Sequence, residues 1–170
     1  MTARAPQGIP ASATMPSLLD RLLDEVPIAA KGNAPSRRAV VAAVKHTVQR
    51  DLEWLLNTRR RSLDNASKEL PELKSSLIAY GIPDFTAQDL ASNTRRTVLA
   101  RALEGAIRMF EPRLTGVSVT LVDRPQNLER RLRFRIEALI RVEPSAEPVV
   151  FESLLDPATQ NFSIRAADHE

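Results

Sequence analysis

Phe110-Glu111-Pro112-Arg113-Leu114 is the joint on which the reading of this chain turns. Upstream of it the apolar residues recur with a helical period. Downstream they alternate. Proline fixes its own φ, lacks an N–H and pushes the preceding residue out of the α region. Glu111 is therefore expected in an extended or turn conformation, with Arg113 two residues on. A carboxylate and a guanidinium flank a stiff joint between two apolar elements. Such a pair is either an ion pair internal to the fold or a preorganised binding feature.

Working back from the joint, Val98, Leu99, Ala102, Leu103, Ala106, Ile107 and Phe110 form an apolar stripe, which predicts a helix. Thr86 with Asp89 resembles a capping box at its start. Pro71 can open a short helix with Leu73, Leu77 and Ile78 inward; Gly81 and Pro83 stop it. Val41, Val44, Val48, Leu52, Leu55 and Leu56 predict a longer helix, capped by Ser36 and ending near Arg59 to Arg61. Arginines there suit the negative end of the helix dipole.

Working forward, Val117, Val119 and Leu121 alternate with Ser118, Thr120 and Val122. A polar loop runs from Asp123 to about Glu129. Leu132, Phe134, Ile136, Ala138, Ile140 and Val142 then face one way. Arg131, Arg133, Arg135, Glu137 and Arg141 face the other, with Leu139 an apolar exception. Val149 to Leu155 and Phe162 to Arg165 read as a final hairpin around the turn residues Asp156 to Asn161. Helices first and strands last imply an α+β domain. Its N-terminal helices pack on one face of a small mixed or antiparallel sheet formed by the C-terminal half.

The organisation expected is a disordered tail over 1–15, an amphipathic docking helix over 16–27, a linker over 28–35, an α+β domain over 36–166 and a frayed tail over 167–170. The docking helix carries Leu18, Leu19, Leu22 and Leu23 on one stripe. A helix so short is marginal alone in water, so its leucines must dock, on this domain or on a partner.

Composition narrows the classes. The chain has 170 residues, with 43% hydrophobic and 26% charged, ordinary for one globular domain with a real core. Aromatics are only 4%, so the core must be mostly aliphatic. The absence of cysteine excludes a disulfide scaffold, a thiolate zinc site and a catalytic cysteine. No cofactor is expected: no metal-ligand spacing occurs, and five glycines in all leave little room for a phosphate loop. No apolar run is long enough to span a membrane, and no apolar stretch of a signal peptide follows Arg4. A cytoplasmic protein without membrane insertion is the expectation.

Three kinds of chemistry compete for the polar residues. Hydrolysis needs two carboxylates about a cleft. Glu104, Glu111, Asp123 and Glu129 are available, but no spacing selects a pair. His46 is the only interior histidine, and no nucleophile accompanies it. The net charge of +3 and the arginine rows raise nucleic acid, yet aromatics are not interleaved with the arginines as single-strand binding requires. A solvated sheet face, or recognition of an acidic protein surface, accounts for the same rows.

Two stretches resemble a known family. Asp51-Leu52-Glu53-Trp54-Leu55-Leu56-Asn57-Thr58-Arg59-Arg60, followed about fifty residues later by Phe110-Glu111-Pro112-Arg113-Leu114, resembles the TssE family of the type VI secretion baseplate. TssE belongs to the phage tail baseplate-wedge proteins, long labelled "lysozyme-like". Pro16 to Leu22, the Tyr80-Gly81-Ile82-Pro83-Asp84-Phe85 turn and Leu132-Arg133-Phe134 fit in order, so the resemblance covers about residues 16 to 165. It implies a non-enzymatic structural role in a cytoplasmic baseplate docked to the inner-membrane complex. The implied partners are the wedge proteins TssF, TssG and TssK and the sheath subunits TssB and TssC, with the first sheath ring seeded on this subunit. The family's hallmark transfers to Glu111, Pro112 and Arg113. The label's alternative is a peptidoglycan hydrolase; a basic nucleic-acid-binding module ranks below it. For assembly, the candidate contacts are the Leu18, Leu19, Leu22 and Leu23 face and a sheet edge in the final hairpin, at Val149, Phe151, Phe162 and Ile164.

Overall fold

Ser36 opens the first helix: its Oγ accepts from the Ala39 N–H at 3.3 Å, meeting one of the N–H groups a helix start leaves without a partner. The structure, a computed structural model, describes residues 36–60, 70, 72–73, 76–85, 92–122, 131–142 and 145–167. The elements are α1 (Arg37–Asn57), a short 3-10 turn (Leu77–Ala79), α2 (Asn93–Phe110), and strands β1 (Leu114–Leu121), β2 (Leu132–Ile140), β3 (Glu147–Leu155) and β4 (Phe162–Ala167). The expected tail over 1–15, the helix over 16–27, the linker over 28–35, Pro71, the Thr86–Asp89 start, the loop from Asp123 to Glu129 and residues 168–170 lie outside the described residues; Ala167, expected to begin the frayed tail, instead ends β4.

The four strands form one antiparallel meander in the order β1-β2-β3-β4. Of the two sheet types open from the pattern, the antiparallel one is present. The α+β reading holds, with both helices preceding the sheet. β2 and β3 pair without interruption from Leu132↔Leu155 to Ile140↔Glu147. β1 meets β2 with a register shift between Thr115 and Ser118. Gly116 lies in that bulge at φ +61, a left-handed conformation in which glycine escapes the Cβ penalty.

One face of the sheet is dry. Phe134, Ile136, Ala138 and Ile140 of β2 are buried, with Val149, Phe151 and Leu155 of β3 and Phe162 and Ile164 of β4. Against them pack Val48, Leu52 and Leu56 of α1 and Leu99, Leu103 and Ile107 of α2. α1 lies chiefly against β4 and α2 against β1. The other face carries Arg133, Arg135, Glu137 and Glu152, paired as Arg133–Glu152 (3.6 Å) and Arg135–Glu137 (2.8 Å). Leu139 is exposed there, as the alternation required.

Three expectations need correction. α1 ends at Asn57 rather than at the arginines. Arg59 still meets the helix end, donating from a guanidinium nitrogen to the Leu56 carbonyl at 2.9 Å. Leu77 and Ile78 are exposed rather than inward, because a three-residue turn has no buried face and only Ala79 is covered. Val98 is 55% exposed. The helix packs on a single layer, so only the stripe through Leu99, Leu103, Ala106 and Ile107 is covered, and Val98 has turned off it. No described helix is long and apolar enough to cross a membrane.

Candidate assembly site at the helix-to-strand joint

Glu111 ends α2. Its backbone has left the helix (φ −120, ψ 79), as Pro112 demands, while its N–H still donates to Ile107 at 2.9 Å. Its carboxylate is buried, with 4% of the residue exposed. Both oxygens are taken by Arg113. Oε1 accepts from Nε at 2.6 Å and from the Arg113 N–H at 3.2 Å; Oε2 accepts from the terminal guanidinium nitrogen NH2. Pro112 thus turns the chain so that Arg113 folds back on its own neighbour.

The same NH2 reaches Asp51 of α1 at 2.5 Å, across 62 positions in sequence. Asp51 also accepts from Arg50 at 3.0 and 3.2 Å, and the Arg50 guanidinium lies 4.9 Å from the Trp54 ring centre. The result is a chain Trp54–Arg50–Asp51–Arg113–Glu111, dry at Glu111 and wet at Trp54, which is 50% exposed. Burial opposes the Arg113 charge, but hydrogen bonds to Glu111 and Asp51 outweigh it, so its pKa is raised above the ordinary arginine value. Tyr80 stands nearby, edge-on to Phe110 with centroids 5.3 Å apart. Burial, then the negative charges of Asp51 and Glu111, push its hydroxyl pKa up.

The remaining residues of the two motif stretches have structural tasks as well. The Thr58–Arg60 segment bridges to Ile82: Ile82 N donates to Thr58 O at 2.9 Å and Arg60 N to Ile82 O at 3.0 Å. Gly81 makes this approach possible at φ +106, and a Cβ there would run into the Thr58 carbonyl. Arg59 lies 4.5 Å from the Phe85 ring centre and donates to Gln160 O at 2.6 Å, holding the tip of the β3–β4 hairpin. The Glu-Pro-Arg turn, the Asp51–Arg60 stretch and the Tyr80–Phe85 turn, far apart in sequence, are one spatial unit.

The hairpin residues singled out from sequence are divided by the topology. Val149 and Phe151 belong to β3, an interior strand flanked by β2 and β4, so they are not at an edge. Phe162 and Ile164 are on the edge strand β4, but their side chains are buried in the core. What they offer a neighbour is backbone, and α1 already occupies part of it. The Asn57 amide donates to Phe162 O at 2.9 Å and accepts from Phe162 N at 2.8 Å; Gln49 donates to Ile164 O at 2.9 Å. Neither Asp51 nor Asn57 stands out in sequence as a site residue. Their inclusion in the longer motif stretch is the one available signal. Leu18, Leu19, Leu22 and Leu23 lie outside the described residues.

As chemistry, the arrangement is a clamp. A carboxylate whose two oxygens are committed to one guanidinium is poorly placed to donate or take a proton. Glu104 is likewise occupied, by Arg108 at 2.7 Å and the Val119 N–H at 3.1 Å. His46 is exposed on α1. Among the described residues no group of three His, Asp or Glu could hold a metal ion.

The described residues form a two-layer α+β domain with an ion-pair clamp between its helix-to-strand joint and a neighbouring helix. Residues 42–145, more than half of the chain, match the model of the family described as baseplate wedge protein gp25, and the chain belongs to this family. The family agrees with the TssE-like resemblance read from the two motifs. Among solved structures, a chain from "The baseplate complex from the type VI secretion system" is similar at 21% identity, covering 74% of this chain and 95% of that one, with a TM-score of 0.41. A comparison with curated proteins finds no match.

Proposed function

We propose that this chain is a non-enzymatic structural subunit of a type VI secretion baseplate, working in the cytoplasm at the inner-membrane-docked complex. Its partners are the wedge proteins TssF, TssG and TssK and the sheath subunits TssB and TssC. The observation that carries this reading is the meeting of the two family motifs in the Asp51–Arg113–Glu111 clamp. The clamp sets the angle between α2 and β1, while Trp54, stacked on Arg50, and Pro112 stay exposed beside it. Tryptophan and arginine are among the side chains most often decisive at protein interfaces. Glu111, Pro112 and Arg113 are thus a preorganised frame, and Trp54 and Arg50 the contacts it presents.

Residues 16–27 serve as a second docking element through Leu18, Leu19, Leu22 and Leu23. Sheath subunits would be seeded by adding strands to a sheet edge, met as backbone. The paired arginines of the outer sheet face support a solvated surface over a nucleic-acid groove.

Co-expression with the wedge proteins is the test, using the full chain, a chain lacking residues 1–27, and Trp54→Ala with Arg50→Ala. Complex formation by the full chain, weakened in both altered forms, is expected. Peptidoglycan turnover abolished by Glu111→Gln would overturn the structural reading in favour of the hydrolase.

A further inference from the structure

The outward side of α2 carries apolar side chains that no described element covers. Val98 and Met109, about three turns apart, are 55% and 51% exposed. Ala102 and Gly105 lie between them on the same side, and a Cβ at Gly105 would meet nothing within 4 Å. Arg101 borders this stripe on one flank and Arg95 on the other. Both arginines are exposed, and among the described residues neither has a carboxylate partner. An apolar stripe between two unpaired cations suits an occupant that is apolar on one face and acidic at its borders.

We propose that residues 17–26 of this same chain cover that stripe in the free subunit. Leu18, Leu19, Leu22, Leu23 and Val26 share one face at helical spacing, and Asp20 and Glu25 border it on either side. With Asp24 against the lone Arg21, the segment is acidic where α2 is basic. Position selects the same occupant. Arg37 bonds Glu147 and the Ser145 hydroxyl, each at 2.7 Å, so α1 starts at the Glu147 end of the sheet. The register runs from Glu147 through Ile140 to Leu114, where α2 has just ended. The chain ahead of α1 therefore leaves the fold at the end of the sheet where α2 finishes. Residues 27–35 can reach about 30 Å when extended, well beyond the spacing of about 8–10 Å between packed helices. So short a tether holds the segment at an effective concentration on the order of millimolar, which favours the contact within one chain over the same contact between two. Laid back along α2 from that end, Val26 falls toward Met109 and Leu18 toward Val98. The leucines given above to wedge partners are then covered until a partner lifts the segment away. The contact is intramolecular, so it goes beyond the baseplate reading and does not depend on it.

Paramagnetic NMR on the full chain tests the contact. The sequence has no cysteine, so Met15→Cys supplies a single site for a nitroxide label just ahead of the segment. The label should broaden the amide signals of α2, more at Val98 than at Met109, and leave Arg135 on the opposite sheet face sharp. Mixing nitroxide-labelled chain with isotope-labelled chain that carries no nitroxide should give no broadening. Arg95→Glu with Arg101→Glu should lower the docked fraction at least about threefold. Adding Asp20→Arg and Glu25→Arg to that chain should restore it. Sharp signals throughout α2, broadening centred on α1, or broadening that appears only in the mixture and so marks a second copy, overturns the proposal. Arginine reversals that leave the broadening unchanged overturn it as well.

Discussion

Arg113 and Asp51 are 62 positions apart and joined at 2.5 Å. This one bond ties the turn that ends α2 to the C-terminal part of α1. It converts the local Glu-Pro-Arg pair into a bridge between the two helices that cover the sheet. Glu111 makes the bridge costly to break, because it is buried and has no other cation bonded to it among the described residues.

Arg113→Ala should therefore destabilise the isolated domain strongly, by about 3–5 kcal/mol, since it strands the Glu111 carboxylate in the interior. Arg113→Lys should recover only part of this, because an ammonium cannot reproduce the fork that meets both Glu111 oxygens and Asp51. Asp51→Asn, at a partly solvated position, should cost less, about 1–2 kcal/mol. Urea unfolding of the three variants gives the order. A double-mutant cycle on Asp51 and Arg113 should show a coupling of about 0.5–3 kcal/mol.

The hydroxyl of Tyr80 provides a pH probe, since it is the single tyrosine of the chain. Its folded pKa is raised, first by burial and then by Asp51 and Glu111. A raised tyrosine pKa means that the folded state holds its proton more tightly than the unfolded state does. The contribution to stability is then complete below the ordinary value of 10.0 and is lost as pH rises through the folded pKa. Absorbance titration should give a midpoint above 10.0 in the native protein and a lower one in denaturant. Tyr80→Phe should flatten that part of the alkaline stability curve.

Two glycines should respond in opposite directions to alanine. Gly81→Ala faces a positive φ and the Thr58 carbonyl, and should destabilise by more than about 1 kcal/mol. Gly105 lies inside α2 with open space where a Cβ would go. Gly105→Ala should stabilise by about 0.5–1 kcal/mol. Thermal melting of the pair reads both signs.

Ser153 is fully buried on the core face of β3, and among the described residues its Oγ has no hydrogen-bond partner. An unmet buried hydroxyl is a net cost. Ser153→Ala should be neutral or should stabilise by about 1 kcal/mol in urea unfolding, against the usual direction for core substitutions.

The joint at Pro112 was legible in sequence because it is local. A proline beside a change of period from helical to alternating has one reading, and β2 follows the alternation at every inward position from Leu132 to Ile140. Long-range partners were not legible. Nothing in the spacing of Asp51 or Asn57 distinguishes them from solvated helix residues, because an ion pair across 62 positions leaves no periodic trace. Of the sheet-edge and hairpin positions expected at Val149, Phe151, Phe162 and Ile164, the first two lie on the interior strand β3, for a related reason. A hairpin is visible in sequence, but which strand lies outermost depends on the order of the whole sheet. Leu77 and Ile78 misled because apolar residues in a single turn have no face to bury.

The most direct measurement of the central claim is co-purification of the full chain with co-expressed TssF, TssG and TssK, followed by mass determination of the complex. A stable complex that weakens with Trp54→Ala and Arg50→Ala, in variants that remain folded, is expected. A folded chain that binds none of the three contradicts the assignment.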